Sequence, residues 1–444
     1  MPGKTYTYGQ IWRIAFPILI SVLMEQLIGM TDAAFLGRVG EVELGACAIG
    51  GVFYIAIFML GMGFCVGAQI LMGRRNGEGA YGRIGSIFYH GVAFLLLMAA
   101  VLFFVTRAWG PYVLERIVSS PAVCKAAEDY LDWRVYGFFF AFVASMFRSF
   151  YVATTHTRTL TLNSLTMVAC NVVFNYILIY GKCGLPAFGI AGAAMGSSLS
   201  EAVSMIFFIC YTRFRMDYSR YGLNVLPRLR LSILSRVLRI SIWTMVQNFI
   251  SLSTWFLFML AVEHLGERPL AVTNIIRNIS SFTFMTVIAL ASTASTLTSN
   301  LMGQGEADAV RPMLRRTVRL GFFILVPVWV LMSAFPDLVL RIFTNEEALI
   351  AAGRAPLYVL GTSYVLTIPA QIYFHAVSGT GNTRTALLFE LISLTVYTLY
   401  VWVIVFRMRS DLSVCWTSEH VYGVLALFLS WAYIRWGNWR MKRI

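Results

Sequence analysis

Residues 11–46 read IWRIAFPILISVLMEQLIGMTDAAFLGRVGEVELGA, and the fold is decided here. The apolar run to residue 36 is long enough to cross a bilayer, which takes roughly 20 helical residues. Pro17 stands in its first turns, and two acids, Glu25 and Asp32, stand inside it. Their spacing of seven puts both on one helix face, roughly 10 Å apart along the axis. A carboxylate near the centre of a membrane helix costs about 2.5–3.5 kcal/mol even on a lenient insertion scale. A partner, a proton or a bound cation must offset that cost. The expectation is a face that titrates or binds a cation and so powers transport.

The rest of the chain has the same character. Of its 444 residues, 58% are hydrophobic and 13% charged, against about 25% charged in soluble domains. The reading is an all-α integral membrane protein, because the apolar runs are too long and too uniform for the alternating strands of a barrel. The net charge of +14 fits arginine-rich cytoplasmic loops facing anionic lipid better than a nucleic-acid partner. No zinc spacing or basic-aromatic RNA motif accompanies it. The polar start MPGKTYTYGQ leads straight into the first span, so no cleaved signal peptide is expected. The seven cysteines form no CxxC pair. Most read as small buried apolar residues. Cys124, Cys183 and Cys415 fall on the predicted outer side and leave one disulfide open.

About twelve spans follow from hydropathy: 11–36, 46–72, 84–106, 128–153, 159–181, 189–213, 236–263, 270–301, 315–341, 355–377, 385–407 and 418–436. The only long polar loop, 214–235, divides an N-terminal six-helix lobe (1–213) from a C-terminal one (236–444). Both termini are expected in the cytoplasm. That topology gathers Arg74, Arg75, Arg83, Arg158, the arginines of 213–239, Arg315, Arg316 and Arg319 on the inner side. An internal repeat is also visible. VGEVEL (39–44) parallels LGERPL (265–270), and THTRT (155–159) parallels GNTRT (381–385), both at a shift of about 226; LMGRRNGE (71–78) parallels LMGQGE (301–306) with a small gap. Six helices per copy make the two copies parallel about an axis along the membrane normal, with a central cavity between lobes, a transporter arrangement.

Three stretches carry a resemblance: FPILISVLMEQLIGMTDAAFLGRVG (16–40), NVVFNYILIYGKCGLPAFGIAGAAMGSSLSEA (171–202) and VSGTGNTRTALLFELISL (377–394). They resemble the first, the fifth and sixth, and the tenth and eleventh helices of the multidrug and toxic compound extrusion (MATE) transporters. The resemblance implies a twelve-helix, two-lobed exporter that exchanges its substrate for sodium ions or protons. It implies a coupling acid in the first helix, where Asp32 stands, and bending of that helix, which suits Pro17. Many members pair an Asn with an acid four residues on in the fifth helix; here the pair is Asn171 and Asn175. Where other members place acids in the seventh and tenth helices, this chain has Gln247, Asn248, Ser251 and Thr367. The first lobe is therefore the expected site of coupling.

The residues themselves give the following candidates. Asp32 couples a cation or pairs with Arg38 near the helix end. Glu25 is a second coupling acid or makes a structural hydrogen bond to another helix. Asn171 and Asn175 share a helix face, and their amides can ligate sodium or bond a carboxylate. Together with Asp32 they make a candidate all-oxygen Na+ site, to which Glu201 can add or which it can border as an ion-pair partner. Arg148 and Arg277 are intramembrane arginines. Arg148 can snorkel inward, and Arg277, flanked by Asn274 and Asn278, has Glu390 as a natural mate. Arg277, Asn274, Asn278, Gln247 and Asn248 are the candidate substrate-cavity residues.

No enzyme is expected. The five histidines are scattered, with no Ser-His-acid order, no HExxH and no phosphate-cradling loop. The expected function is export of bulky cationic or amphipathic organic compounds by antiport with Na+ or H+. No other cofactor is expected; the partners are a small-molecule substrate and membrane lipid, and the protein functions as a monomer in a bacterial inner membrane. A flippase for an anionic lipid-linked glycan and a non-transporting receptor or scaffold stay open as alternatives.

Overall fold

The computed structural model describes residues 6–442, and every regular element among them is helical. In chain order the helices are α1 (Tyr8–Leu36), α2 (Glu41–Gly77), α3 (Gly82–Ile117), α4 (Pro121–Arg134), α5 (Gly137–Ala153), α6 (Arg158–Tyr180) and α7 (Gly189–Arg215). They continue with α8 (Leu231–Glu263), α9 (Glu267–Gly303), α10 (Val310–Ala334), α11 (Pro336–Arg341), α12 (Glu347–Gly379), α13 (Thr383–Trp402), α14 (Leu412–Cys415) and α15 (Ser418–Trp436). Eleven of the described helical stretches are long and apolar enough to cross a membrane, and α4 with α5 makes a twelfth, bent by 52°. A membrane helix satisfies its backbone groups internally, so long apolar runs of this kind have no other stable form in lipid.

Two predicted spans come out differently. The span expected over 128–153 begins earlier, at Pro121, where the Ser120 side chain accepts from the Val123 N–H at 3.5 Å. It breaks between Arg134 and Gly137 instead of running through. The span expected over 315–341 stops at Ala334, and α11 restarts at Pro336, where proline has no N–H to continue the ladder. Arg354 of α12 then grips Asp337 of α11 with two hydrogen bonds, of 2.6 and 2.7 Å. That grip holds the Asp337 carboxyl below the usual carboxylate range.

The chain packs as two compact units, Phe16–Met245 and Met1–Ala15 with Val246–Ile444, taken over the described residues. The division at Met245 falls inside α8. The loop before α8 packs on the first unit: Tyr89 Oη donates to the Leu223 carbonyl at 2.7 Å, and the Arg230 N–H donates to His90 Nε2 at 2.8 Å. Within the first unit α7 lies against α4, α5 and α6; within the second, α12 lies against α9, α10 and α15. Aromatic stacking adds to the first unit, with Tyr54 of α2 flat against Phe138 of α5 at 4.6 Å. The seven cysteines are all free, Cys124 and Cys415 buried and Cys183 exposed, so the disulfide left open by the sequence does not form.

Candidate functional site

Asp32 lies late in α1 and is 6% exposed. Its Oδ1 accepts from Asn175 Nδ2 at 2.6 Å and Asn171 Nδ2 at 3.3 Å, and its Oδ2 accepts from Ser197 Oγ at 2.7 Å. Asn171 and Asn175 come from one face of α6 and are fully buried. Asn175 Nδ2 also reaches Asn171 Oδ1 at 3.2 Å, and Asn171 Nδ2 reaches Ser197 Oγ at 3.3 Å. Three helices thus converge on one carboxylate, and every group that touches it is neutral. Among the described residues no Arg or Lys nitrogen comes within 4 Å of Asp32.

The cluster holds more acceptors than it uses. Asn175 Oδ1 is buried with no hydrogen-bond partner, an arrangement that costs about 1–3 kcal/mol when nothing fills it. The carboxylate, the two amide oxygens and the Ser197 hydroxyl are all hard oxygen donors, the kind hard cations such as Na+ take. Turning either amide presents an oxygen where an N–H now faces Asp32. The space for this is set by Gly196, since a Cβ there would lie 2.5 Å from Asn175 Oδ1. Gly196→Ala is expected to cost about 1–3 kcal/mol by overpacking and to push Asn175 off Asp32. Thermal unfolding of the purified variant checks this: a wild-type midpoint, with wild-type cation dependence, would show that the amide has room to spare.

Glu201 sits one turn beyond Ser197 on α7 but does not join Asp32. Arg134 holds it in a two-pronged ion pair, Nη1 to Oε2 at 2.8 Å and Nη2 to Oε1 at 2.6 Å. Tyr54 Oη donates to the same carboxylate at 3.2 Å, and the guanidinium lies 3.7 Å from the centre of the Tyr54 ring. The pair occupies the bend between α4 and α5: a Cβ on Gly137 would fall 2.3 Å from Arg134 Nη1 and 2.4 Å from Glu201 Oε2.

Glu25 is likewise apart from Asp32. Its carboxylate pairs with Arg148 of α5 and its side chain is 42% exposed. Arg148 also donates to Ser21 Oγ at 2.5 Å, and Ser21 bonds Ser164 at 2.8 Å. Arg148 therefore has an acid partner and does not simply snorkel. Pro17 lies inside α1, where it removes the N–H that would bond the carbonyl one turn back. Its own carbonyl accepts from Thr161 Oγ1 at 3.5 Å.

In the second unit, Arg277 and Glu390 do not meet. Arg277 stacks over Trp255 at 5.2 Å, while Glu390 accepts from Ser251 Oγ and Tyr422 Oη at 2.6 and 2.9 Å. Hydroxyls from two other helices fill the place the arginine was expected to take. Asn274 turns back on its own helix and bonds the Leu270 carbonyl at 3.2 Å. Asn278 and Asn248 are half-buried. Gln247 is buried, and its Oε1 has no partner.

Sequence reasoning did not single out Ser197, Arg134 or Tyr54. Ser197 is the small hydroxyl four residues before Glu201. Arg134 carries the same signal as Arg148, a cation inside a predicted span.

Comparison with known proteins identifies the family and the fold. The MatE family model matches residues 17–177 and again 244–403, the two halves at the offset already visible as a repeat. The chain is 22% identical over 387 residues to the probable multidrug resistance protein NorM of Thermotoga maritima, covering 87% of this chain and 82% of that protein. It is 24% identical over 385 residues to the NorM of Aromatoleum aromaticum, covering 85% and 82%. Among solved structures, an outward-facing multidrug resistance MATE transporter superposes with a TM-score of 0.88 at 17% identity, covering 98% of each chain. A MOP superfamily transporter from Pyrococcus furiosus superposes with a TM-score of 0.86 at 17% identity, covering 98% of this chain and 99% of that one. These two show the fold, all-helical and two-lobed. The double match of the family model reaches further than the fold and spans more than half of the residues. The chain belongs to the MatE family and is a multi-pass membrane transporter, not an enzyme.

Proposed function

We propose that this transporter exports bulky cationic or amphipathic organic compounds in exchange for a monovalent cation, H+ or Na+, that binds at Asp32. The observation that carries the reading is a buried carboxylate whose hydrogen-bond partners are all neutral. Enclosing a bare charge among apolar helices costs several kcal/mol; a bound monovalent cation removes the net charge and with it most of that cost. Cation binding therefore favours a conformation in which the cluster is closed, and cation release favours one in which water reaches it. A ligand shifts such an equilibrium only by its differential affinity for the two states, which the amide and hydroxyl cage supplies in one state only. Pro17 gives α1 a flexible point between its first turns and Asp32.

The wider reading follows the relatives. The NorM proteins are named for multidrug resistance and come from bacteria, which supports drug-like substrates and a bacterial inner membrane. Both termini face the cytoplasm by the arginine distribution, the protein works as a monomer, and the coupling ion is its sole small cofactor. The test is transport of a fluorescent organic cation in proteoliposomes with sodium and pH gradients imposed one at a time. One of the two gradients is expected to drive accumulation against the substrate gradient. Uptake that merely equilibrates under either gradient would refute coupling.

A further inference from the structure

Glu390, in the middle of α13, is 3% exposed, and its two oxygens meet only Ser251 Oγ and Tyr422 Oη. Among the described residues no Arg or Lys nitrogen lies within 4 Å of it. The internal repeat explains why. Glu41 opens α2 and Glu267 opens α9, an offset of 226 residues. At that offset Ser251 corresponds to Glu25, Glu390 to Ser164, and Phe374 to Arg148. In the first unit the acid is neutralised by Arg148. The second unit keeps an acid and a serine at the same two positions, with the acid moved to the other helix. At the arginine's position it has a buried phenylalanine.

Ser251 is built to follow a proton. Its Oγ lies 2.6 Å from Glu390 Oε1 and 2.9 Å from the carbonyl of Gln247, one turn back on α8. With Glu390 ionised, the hydroxyl donates to the carboxylate. With Glu390 protonated, the acid O–H donates to Ser251 Oγ, and the serine hydrogen turns to the Gln247 carbonyl. The acid and the serine hydroxyl stay bonded in both states, and the proton is the only thing gained or lost.

Other ionisable groups stand close by. On α15, Tyr422 touches the acid, and Glu419 one turn earlier accepts from Tyr397 Oη of α13 at 3.4 Å. On α12, His375 follows one turn after Gln371, which bonds Tyr422. From α8 the Ser251 hydroxyl meets it.

We propose that Glu390 is a second proton-binding group, in the second unit where Asp32 belongs to the first, that loads and unloads in the transport cycle. This rests on the transport reading above. The first readout does not need transport. An infrared difference spectrum between high and low pH, taken on purified protein, is expected to contain a carboxylic-acid band. That band should vanish in Glu390→Gln, survive in Asp32→Asn, and shift in Ser251→Ala. A spectrum unchanged by Glu390→Gln overturns the proposal.

The second readout is the substrate ratio held at a fixed potential. For a neutral amphipathic substrate each coupled charge at about 100 mV supports roughly a fifty-fold ratio, so Glu390→Gln lowers it by about that factor. If Asp32→Asn abolishes accumulation while Glu390→Gln keeps both band and ratio, the proposal fails and coupling at Asp32 stands. If Asp32→Asn keeps full accumulation, coupling at Asp32 fails, and the infrared band alone decides Glu390.

Discussion

Asp32→Asn is expected to abolish cation-driven accumulation while leaving the protein folded. The substitution keeps the shape of the side chain. The amide oxygen can still accept from Asn175 and Asn171, and the new N–H2 faces Ser197, whose oxygen can accept in turn. What disappears is the single negative charge in the cluster. One elementary charge crossing about 100 mV is worth about 2.3 kcal/mol, and a tenfold concentration ratio is worth about 1.4 kcal/mol. For a neutral amphipathic substrate the ratio held by one coupled cation is therefore roughly fifty-fold, and the loss for such a substrate should be of that size or larger. The measurement is steady-state accumulation in proteoliposomes at fixed potential, with thermal unfolding as the folding control. Accumulation at the wild-type level in this variant would remove Asp32 from the mechanism.

The second large effect lies on stability. Arg134→Met strands Glu201 without its cation, with side chains only 10% and 17% exposed in the pair. Breaking a buried pair by removing one partner costs about 3–5 kcal/mol, whereas replacing both partners with uncharged groups of similar volume is often neutral or better. The double variant Arg134→Met with Glu201→Gln should therefore recover most of what the single variant loses. Unfolding of the purified proteins in detergent decides the matter. Equal destabilisation of single and double variants would mean that the bend between α4 and α5 needs the guanidinium for packing over Tyr54 rather than for charge.

The sequence was most legible where hydropathy alone acts. The long spans follow from the requirement that backbone groups be satisfied in lipid, and the repeat shows in a handful of shared turn motifs. The bend after Arg134 was hidden because the residue paired there, Glu201, is 67 residues away along the chain. The restart at Pro336 was readable, since proline punctuates a helix by itself.

The candidate site divides in the same way. Asn171 and Asn175 could be placed on one face by their spacing, and the structure puts both on Asp32. Glu25 shares a helix face with Asp32, yet its neighbour is Arg148 of α5, while α6 and α7 surround Asp32. Periodicity fixes a direction from the helix axis and says nothing about which helix stands there at each level. Arg277 and Glu390 mislead for a related reason: opposite charges inside two membrane spans suggest a pair, but the hydroxyls of Ser251 and Tyr422 reach the acid instead.

The amide at position 175 has one more consequence. With a single acid among the groups that touch it, the cluster becomes electrically neutral when a singly charged guest enters. A doubly charged guest would leave a whole positive charge stranded among apolar helices, at a solvation penalty that the amide oxygens cannot repay. If a cation binds at Asp32 as proposed, valence is the first sieve it meets, acting before ionic radius or coordination geometry.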